Sequence, residues 1–394
     1  MESIDITIIG GGVTGLASAL YLTEKYPDKT IMLVEKNAFF GEEQSGRNSG
    51  IRHSSIQYKP GSLKAKSCVE GNKLTTEFCK KYDVPYADTG KLTVATTLED
   101  IAKLDFYYNR AVQNGAPGVR KLTSAEIKEF EPNIEGLAAV YTPSTGIIDG
   151  ATYIKTMKNL LGNTDAIVFD QTKVLDVKPQ GEEFIVKVNQ AGEVYEFKSE
   201  IVVNAAGLFA DEIARMVNPE FPYKIKPLRG EFMKFNKNKR PELFMKGMPV
   251  YKVPQPIPGG MLDEHGKPKT TSGTHFTPCF DFDASGKIVI SNFVHVGPFQ
   301  VPINNKSDYE SNRASPEAFV KDLNILLPGL RAEDLEQEFT GIQTKIDGYD
   351  DWILERDKKY RHFVIAIIDS PGFTASQAVG KEISELVDEI YAEK

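Results

Sequence analysis

Hydrophobic and polar positions alternate along this chain with two periods, and the order in which they do so outlines its architecture. Residues 4–9 (Ile-Asp-Ile-Thr-Ile-Ile) form a short β-branched run, the composition of a buried strand. A glycine turn follows, then a helix-like segment at 16–25, then a second apolar run at 30–34 that ends in Glu35. Over 63–82, Leu63, Ala65, Cys68, Val69, Leu74 and Phe78 recur at offsets near three and four, which predicts an amphipathic helix. Further helices are predicted over 98–114, over 124–130 behind Thr123, and over 151–161. Strand-like runs occupy 90–95, 166–169, 173–177, 184–188 and 194–197, with Gly181 and Gly192 marking turns. Residues 201–207 read as a buried strand running into a small-residue turn. The region 217–329 is β-rich and proline-rich, and its 254–272 stretch reads as a surface loop. Runs at 341–347 and 363–368 and a helix over 374–391 close the chain. That helix sets Ala375, Val379, Ile383, Leu386 and Ile390 on one face.

The first turn carries chemistry. Gly10, Gly12 and Gly15 give G-x-G-x-x-G between a strand and a helix. Gly10 permits the tight turn, Gly12 lets backbone approach a pyrophosphate, and Gly15 lets helix and strand pack closely. The helix N-terminus then offers unpaired N–H groups and a positive dipole end to the phosphates. Glu35, twenty residues after Gly15, is placed to accept hydrogen bonds from a ribose diol, and an acid there disfavours NADP. The turn at 369–374 opens the last helix and is a second candidate site for an anion or carbonyl oxygen.

Composition narrows the picture. At 394 residues the chain is long enough for two domains with sizeable cores. A net charge of −8 supplies no basic field for nucleic acid. No apolar run reaches the ~20 residues a spanning helix needs, and no signal peptide is visible at the N-terminus. Cys68, Cys79 and Cys279 are odd in number, which argues against a disulfide framework and for a reducing cytoplasm. The five histidines (His53, His265, His275, His295 and His362) form no metal-ligand spacing, so no metal site is expected.

Spaced motifs from end to end add a resemblance. They are Gly10–Gly15 with Glu35, residues 45–53 (Ser-Gly-Arg-Asn-Ser-Gly-Ile-Arg-His), and residues 58–65 (Tyr-Lys-Pro-Gly-Ser-Leu-Lys-Ala). They continue with residues 204–207 (Asn-Ala-Ala-Gly), Arg229-Gly230-Glu231, Gly297-Pro298 and residues 370–376 (Ser-Pro-Gly-Phe-Thr-Ala-Ser). Together they resemble the flavoprotein family of D-amino acid oxidase type. Within it the chain is most similar to L-2-hydroxyglutarate oxidases and dehydrogenases, and more distantly to glycerol-3-phosphate oxidases.

The resemblance implies an α/β fold, with a Rossmann-like FAD-binding domain (1–80, 146–216 and 330–394). A β-rich substrate domain (81–145 and 217–329) is inserted into it. It implies FAD, held by Gly10, Gly12, Val13, Thr14, Gly15, Glu35 and Lys36 at the adenosine and pyrophosphate end. Gln44, Ser45, Arg47, Asn48 and Ser49 would lie along the pyrophosphate and flavin, Val174 beside the adenine, and Ala206, Gly207 and Gly341 near the ring system. Pro371, Gly372, Phe373 and Thr374 would face the N1/C2-oxygen end. Backbone N–H groups there suit the negative charge of reduced flavin.

The same resemblance implies oxidation of a small 2-hydroxy acid, L-2-hydroxyglutarate before others. His53 or His275 would take the hydroxyl proton, since an imidazole titrating near neutrality is a sensible acceptor. The family usually carries Gly-Val-Arg where this chain has Gly341-Ile342-Gln343, and a neutral amide cannot make an arginine's charge-assisted fork. Arg52 or Lys345, with Arg229 as a further candidate, would then hold the substrate anion, although Arg229 also reads as an ion-pair partner of Glu231. Alternatives of the same fold are glycerol-3-phosphate or amino-acid oxidation, and one of another class is a flavin-binding protein without turnover. Oxygen, a quinone or an electron-transfer protein would accept the electrons, and peripheral membrane contact stays compatible with the sequence.

Overall fold

A computed structural model describes residues 2–393. The first apolar run becomes the strand Ser3–Ile9, which lies parallel to Ile31–Val34 on one side and to the second half of Glu193–Asn204 on the other. Ile167–Phe169 and Phe363–Ile367 extend this parallel core outward. Both faces of this core are covered, and Ile31–Val34 and Phe363–Ile367 are accordingly apolar without alternation. Ile6, Ile8, Leu33, Val203 and Val364 point to the layer formed by the helices Val13–Lys25, Gly150–Leu161 and Gly372–Ala392. Ile9, Met32, Val34, Val202 and Ile365 point to the other side. There the helix Ala210–Val217 and an antiparallel meander of Thr172–Gln180, Glu183–Gln190 and Glu193–Asn204 close the layer.

A second eight-stranded sheet forms the other half of the molecule, with Ile225–Asn236, Ile288–Pro302 and His275–Phe282 paired antiparallel at its centre. Its edge is Leu335–Ile346, paired with Ile225–Asn236. This strand falls within residues 330–394, the segment expected in the cofactor-binding unit, and it leaves that unit to complete the second sheet. Only from Ile353 onward does the chain return to the first.

The 254–272 stretch is more ordered than a surface loop. Gln255–Pro256 pairs with Thr270–Thr271, and Lys269, buried, donates to the carbonyls of Ile346 (3.0 Å) and Tyr349 (2.8 Å). Gly348 donates to the carbonyl of Leu262, so the excursion is tied back onto the end of the edge strand. Cys68 and Cys79 are buried in the helix Leu63–Lys81, and the cysteines are unpaired. Among the described residues, no helix is long and apolar enough to cross a membrane.

Candidate active site

A cavity of about 980 Å³ runs between the two sheets, from the first glycine turn to the 255–271 hairpin. At one end, Gly10 sits at φ +112°, and a Cβ there would lie 2.4 Å from the Ala205 carbonyl oxygen. A Cβ on Gly15 would lie 1.9 Å from the Gly10 carbonyl oxygen, so helix and strand touch through backbone alone. Gly12 borders the cavity, where a Cβ would come within 2.9 Å of the Ser45 hydroxyl. That hydroxyl accepts from Val13 N–H at 3.0 Å, at the start of a 13-residue helix. A side chain at Gly10 or Gly15 would break these backbone contacts, and one at Gly12 would intrude on the cradle that a pyrophosphate needs.

Glu35 accepts from Gly11 N–H (2.7 Å) and Asn37 N–H (2.8 Å) and is buried. Burial raises its carboxyl above the usual range against these two hydrogen bonds. The Glu35 carbonyl accepts from Thr172 N–H, at the start of the strand that carries Val174. Lys36 pairs with Glu43 at 2.6 Å. Glu35, Lys36 and Val174 lie at the far side of the glycine turn, outside the cavity lining.

The loop after Glu35 lines the cavity through Gln44, Ser45, Arg47, Asn48 and Ser49. Asn48 braces it by donating to the carbonyls of Gln44 and Ser45 while accepting from Gly50 N–H. Arg47 lies over the Tyr309 ring and donates to the carbonyls of Glu42 and Thr340. Gly341 meets this loop so closely that a Cβ would lie 2.0 Å from the Arg47 carbonyl oxygen. Gly207, Gly341, Pro371, Gly372 and Phe373 line the middle of the cavity. Ala206 sits one residue behind Gly207, and Thr374 is fully buried. At the start of the 21-residue last helix, Gly372 N–H is taken by the Asp369 carbonyl and Ala375 N–H by the Pro371 carbonyl. Among the described residues, the N–H groups of Phe373 and Thr374 have no acceptor. These are donors suited to an oxygen of a bound ring.

His53 and His275 both line the cavity. The His53 backbone N–H donates to the Thr374 hydroxyl at 2.9 Å, and that hydroxyl donates to the Ile51 carbonyl. Burial, then the Lys91 ammonium and His275, hold the His53 imidazole well below its usual value. His275 opens the strand His275–Phe282, and its Nδ1 lies 2.8 Å from the Gly273 carbonyl oxygen. A carbonyl only accepts, so Nδ1 carries the hydrogen and Nε2 keeps its lone pair. That Nε2 is buried and, among the described residues, has no partner. Burial pulls the imidazole down to about 3; the Gly273 hydrogen bond opposes this, and the Lys91 and Lys252 ammoniums add to it.

The cations separate sharply. Ile51 and His53 face the cavity, whereas Arg52 between them points the other way, as alternation along a strand requires. Arg52 is 2% exposed, ion-paired with Asp88, and donates to the Thr76 hydroxyl at 2.5 Å. It does not meet the cavity, contrary to its expected role at the substrate. Arg229 is likewise enclosed, held by Glu231 (3.0 and 2.7 Å), Asp308 and the Ser311 carbonyl. Lys345 does line the cavity, two residues from Gln343 and on the same face of its strand. It pairs with Asp369 at 2.5 Å.

Sequence reasoning passed over four neighbours. Lys64 and Lys269 line the cavity beside Lys345, and Tyr251 stacks under His275. Lys91, fully buried, places its Nζ 4.7 Å from the Tyr251 ring centroid with no hydrogen-bond partner among the described residues. Lys64 stands inside the 58–65 motif, and Lys91 is a charge at the mouth of an apolar strand. For Lys269 no local signal exists.

A two-sheet flavoprotein architecture, with a glycine-cradled helix start at one end of the cavity and titratable groups at the other, defines a class, and comparison with known proteins agrees. The family model described as FAD dependent oxidoreductase matches residues 5–386. The chain belongs to this family, that of the D-amino acid oxidase type, and its cofactor is FAD. It is 31% identical over 398 residues to L-2-hydroxyglutarate dehydrogenase of Indibacter alkaliphilus, covering 96% of this chain and 98% of that one. It is 30% identical over 432 residues to the mitochondrial L-2-hydroxyglutarate dehydrogenase of Bos taurus, covering 99% and 90%. Among solved structures, L-alpha-glycerophosphate oxidase from Mycoplasma pneumoniae with FAD bound superposes with a TM-score of 0.82 at 23% identity, covering 98% and 95%. Glycine oxidase from Geobacillus kaustophilus gives 0.76 at 20%, covering 99% and 95%. The chain is an FAD-dependent oxidoreductase acting on a CH–OH group.

Proposed function

We propose that this chain oxidises L-2-hydroxyglutarate to 2-oxoglutarate. Near-full-length likeness to dehydrogenases of that acid supports the substrate. The observation that carries the chemistry is His275, whose ring lines the same cavity as Lys345 and whose buried Nε2 has no partner among the described residues. Oxidising a secondary alcohol removes a hydride from carbon and a proton from oxygen. Bound FAD supplies the two-electron acceptor for the hydride. The chain's own part is to hold the acid and remove the proton.

His275 Nε2 is the proton acceptor in this reading. Its ring is fixed by Tyr251 on one face and by the Gly273 carbonyl at Nδ1. By its protein surroundings alone it is a weak base, because burial and Lys91 disfavour the imidazolium. An anionic acid beside it favours the charged form and raises its basicity as substrate arrives. His53 lines the same cavity. Lys345 offers an ammonium to a carboxylate, in place of the cation that Gln343 does not supply.

The test is anaerobic mixing of the FAD-loaded protein with L-2-hydroxyglutarate, its D enantiomer, glycerol 3-phosphate and amino acids. The reading expects fast loss of the oxidised-flavin absorption with L-2-hydroxyglutarate alone. Reduction by glycerol 3-phosphate or an amino acid instead would replace the substrate. Reduction by none would remove the catalytic reading. Adding oxygen or a quinone to the reduced protein then identifies the electron acceptor.

A further inference from the structure

We propose that Lys64, Lys269 and Lys345 form one binding site for the carboxylate remote from the reacting carbon. The enzyme would then select dicarboxylic over monocarboxylic 2-hydroxy acids. This deepens the reading above and rests on it for the position of the reacting carbon.

The three lysines come from distant parts of the chain and meet on one wall. Lys64 lies in the first turn of the helix Leu63–Lys81, Lys269 on the 255–271 hairpin, and Lys345 near the end of the edge strand Leu335–Ile346. One buried carboxylate serves them. Asp369 takes Lys345 at 2.5 Å and Lys64 at 3.0 Å, and also accepts from the Trp352 indole N–H at 2.8 Å. Asp351 is occupied elsewhere, accepting from the backbone N–H groups of Leu63, Lys64 and Trp352. Asp350 stands 3.7 Å from Lys269 and is half exposed, so solvent screens most of its effect.

Three ammoniums therefore share a wall with one enclosed acid. Low-dielectric surroundings make such a surplus costly unless an anion joins it. The Lys269 ammonium records the strain: burial, then Lys345 and Lys64, push it down to about 8, with Asp369 and Asp350 opposing. Asp369 shows the converse. Burial would raise its carboxyl, yet Lys345, Lys64 and Lys269 hold it well below the usual carboxylate range.

Hydrogen-bond capacity points the same way. An ammonium has three donors. Lys64 uses one, on the Asp350 carbonyl, and stands 3.0 Å from Asp369. Lys269 uses two, on the carbonyls of Ile346 and Tyr349. Lys345 uses one, on Asp369. Each keeps at least one N–H free beside the cavity, and a carboxylate with two oxygens can accept them all. The backbone carbonyls under Lys269 fix that ammonium in place before any ligand arrives. The hairpin thereby becomes part of the site.

The test uses the FAD-loaded protein with glutarate and butyrate, which lack the hydroxyl and do not react, followed through the flavin visible spectrum. Glutarate is expected to bind at least ~10-fold more tightly than butyrate, the scale of charge-assisted hydrogen bonds. Lys269→Met and Lys345→Met should each remove most of that advantage, and Lys269→Arg should restore it. Equal binding of the two acids by the unaltered protein overturns the proposal, and so does equal weakening of both in the Met variants. Flavin reduction with L-2-hydroxyglutarate is read in parallel. Glutarate selectivity without reduction keeps this site and removes the proposed reaction. Reduction with an unchanged KM in both Met variants keeps the reaction and removes this site.

Discussion

The imidazole of His275 lies nearly flat against the phenol ring of Tyr251, with ring centroids 3.7 Å apart and planes 24° apart. Stacking fixes the ring plane, the Gly273 carbonyl fixes the tautomer, and Nε2 is left as a buried lone pair without a partner among the described residues. Replacing His275 by Gln should therefore slow flavin reduction by about 10²–10⁴-fold, the usual range for a lost general base. Binding of glutarate should change little. Tyr251→Phe keeps the stacking face and should remain active, whereas Tyr251→Leu should fall between the two. Anaerobic stopped-flow measurement of the reduction rate checks all three.

Arg52 is a structural residue by its surroundings, and its removal should be felt in stability. Its guanidinium is enclosed and held by Asp88 and the Thr76 hydroxyl, away from the cavity. Arg52→Met should lower the melting temperature by several degrees, consistent with ~1–3 kcal/mol for lost hydrogen bonds to a buried charged group. The KM for the acid should stay within about twofold. A large rise in KM at unchanged stability would return Arg52 to the substrate.

At the other end of the cavity, Gly15→Ala should abolish FAD retention. Its Cβ would fall 1.9 Å from the Gly10 carbonyl oxygen, and a backbone neighbour cannot swing aside. The expected result on purification is a colourless protein with reduced stability. Gly61→Ala, where a Cβ meets nothing within 4 Å, is the contrast. Gly61 sits at φ +83°, so that change costs a little backbone strain but leaves the flavin in place.

The pH dependence of anion binding follows from Lys269. Its charge is lost around pH 8, well before that of an ordinary lysine. An anion prefers the ammonium, so glutarate affinity should be full below about pH 7 and decline as pH rises through about 8. The groups facing Lys269 are Lys345, Lys64, Asp369, Asp350 and Asp347. Lys91 also titrates near 8 but does not line the cavity. Lys269→Arg should abolish the decline if it belongs to Lys269 and leave it if it belongs to Lys91. Titrating glutarate at several pH values distinguishes them.

The cofactor half of this protein was legible because its pattern is local. The 4–35 stretch carries strand, glycine turn, helix and acid in one run, although its strand is also held by Glu193–Asn204 far along the chain. His53 was also readable as a cavity residue through its motif, and His275 through the family resemblance. What escaped depended on partners far along the chain. Arg52 belongs to the same motif as His53, but strand alternation turns it outward, onto Asp88. Lys269 sits in a polar, proline-rich stretch with no periodicity, and its position is set by the carbonyls of Ile346 and Tyr349, nearly eighty residues later. The strand Leu335–Ile346 joins the second sheet because Ile225–Asn236 offers it an edge, a pairing across roughly a hundred residues.

One measurement bears on the central claim most directly: the anaerobic rate of flavin reduction by L-2-hydroxyglutarate in the unaltered protein and in His275→Gln. Fast reduction in the first, and a loss of about 10²-fold or more in the second with glutarate binding retained, is the expected result. Equal rates in the two, or no reduction by this acid at all, would contradict it.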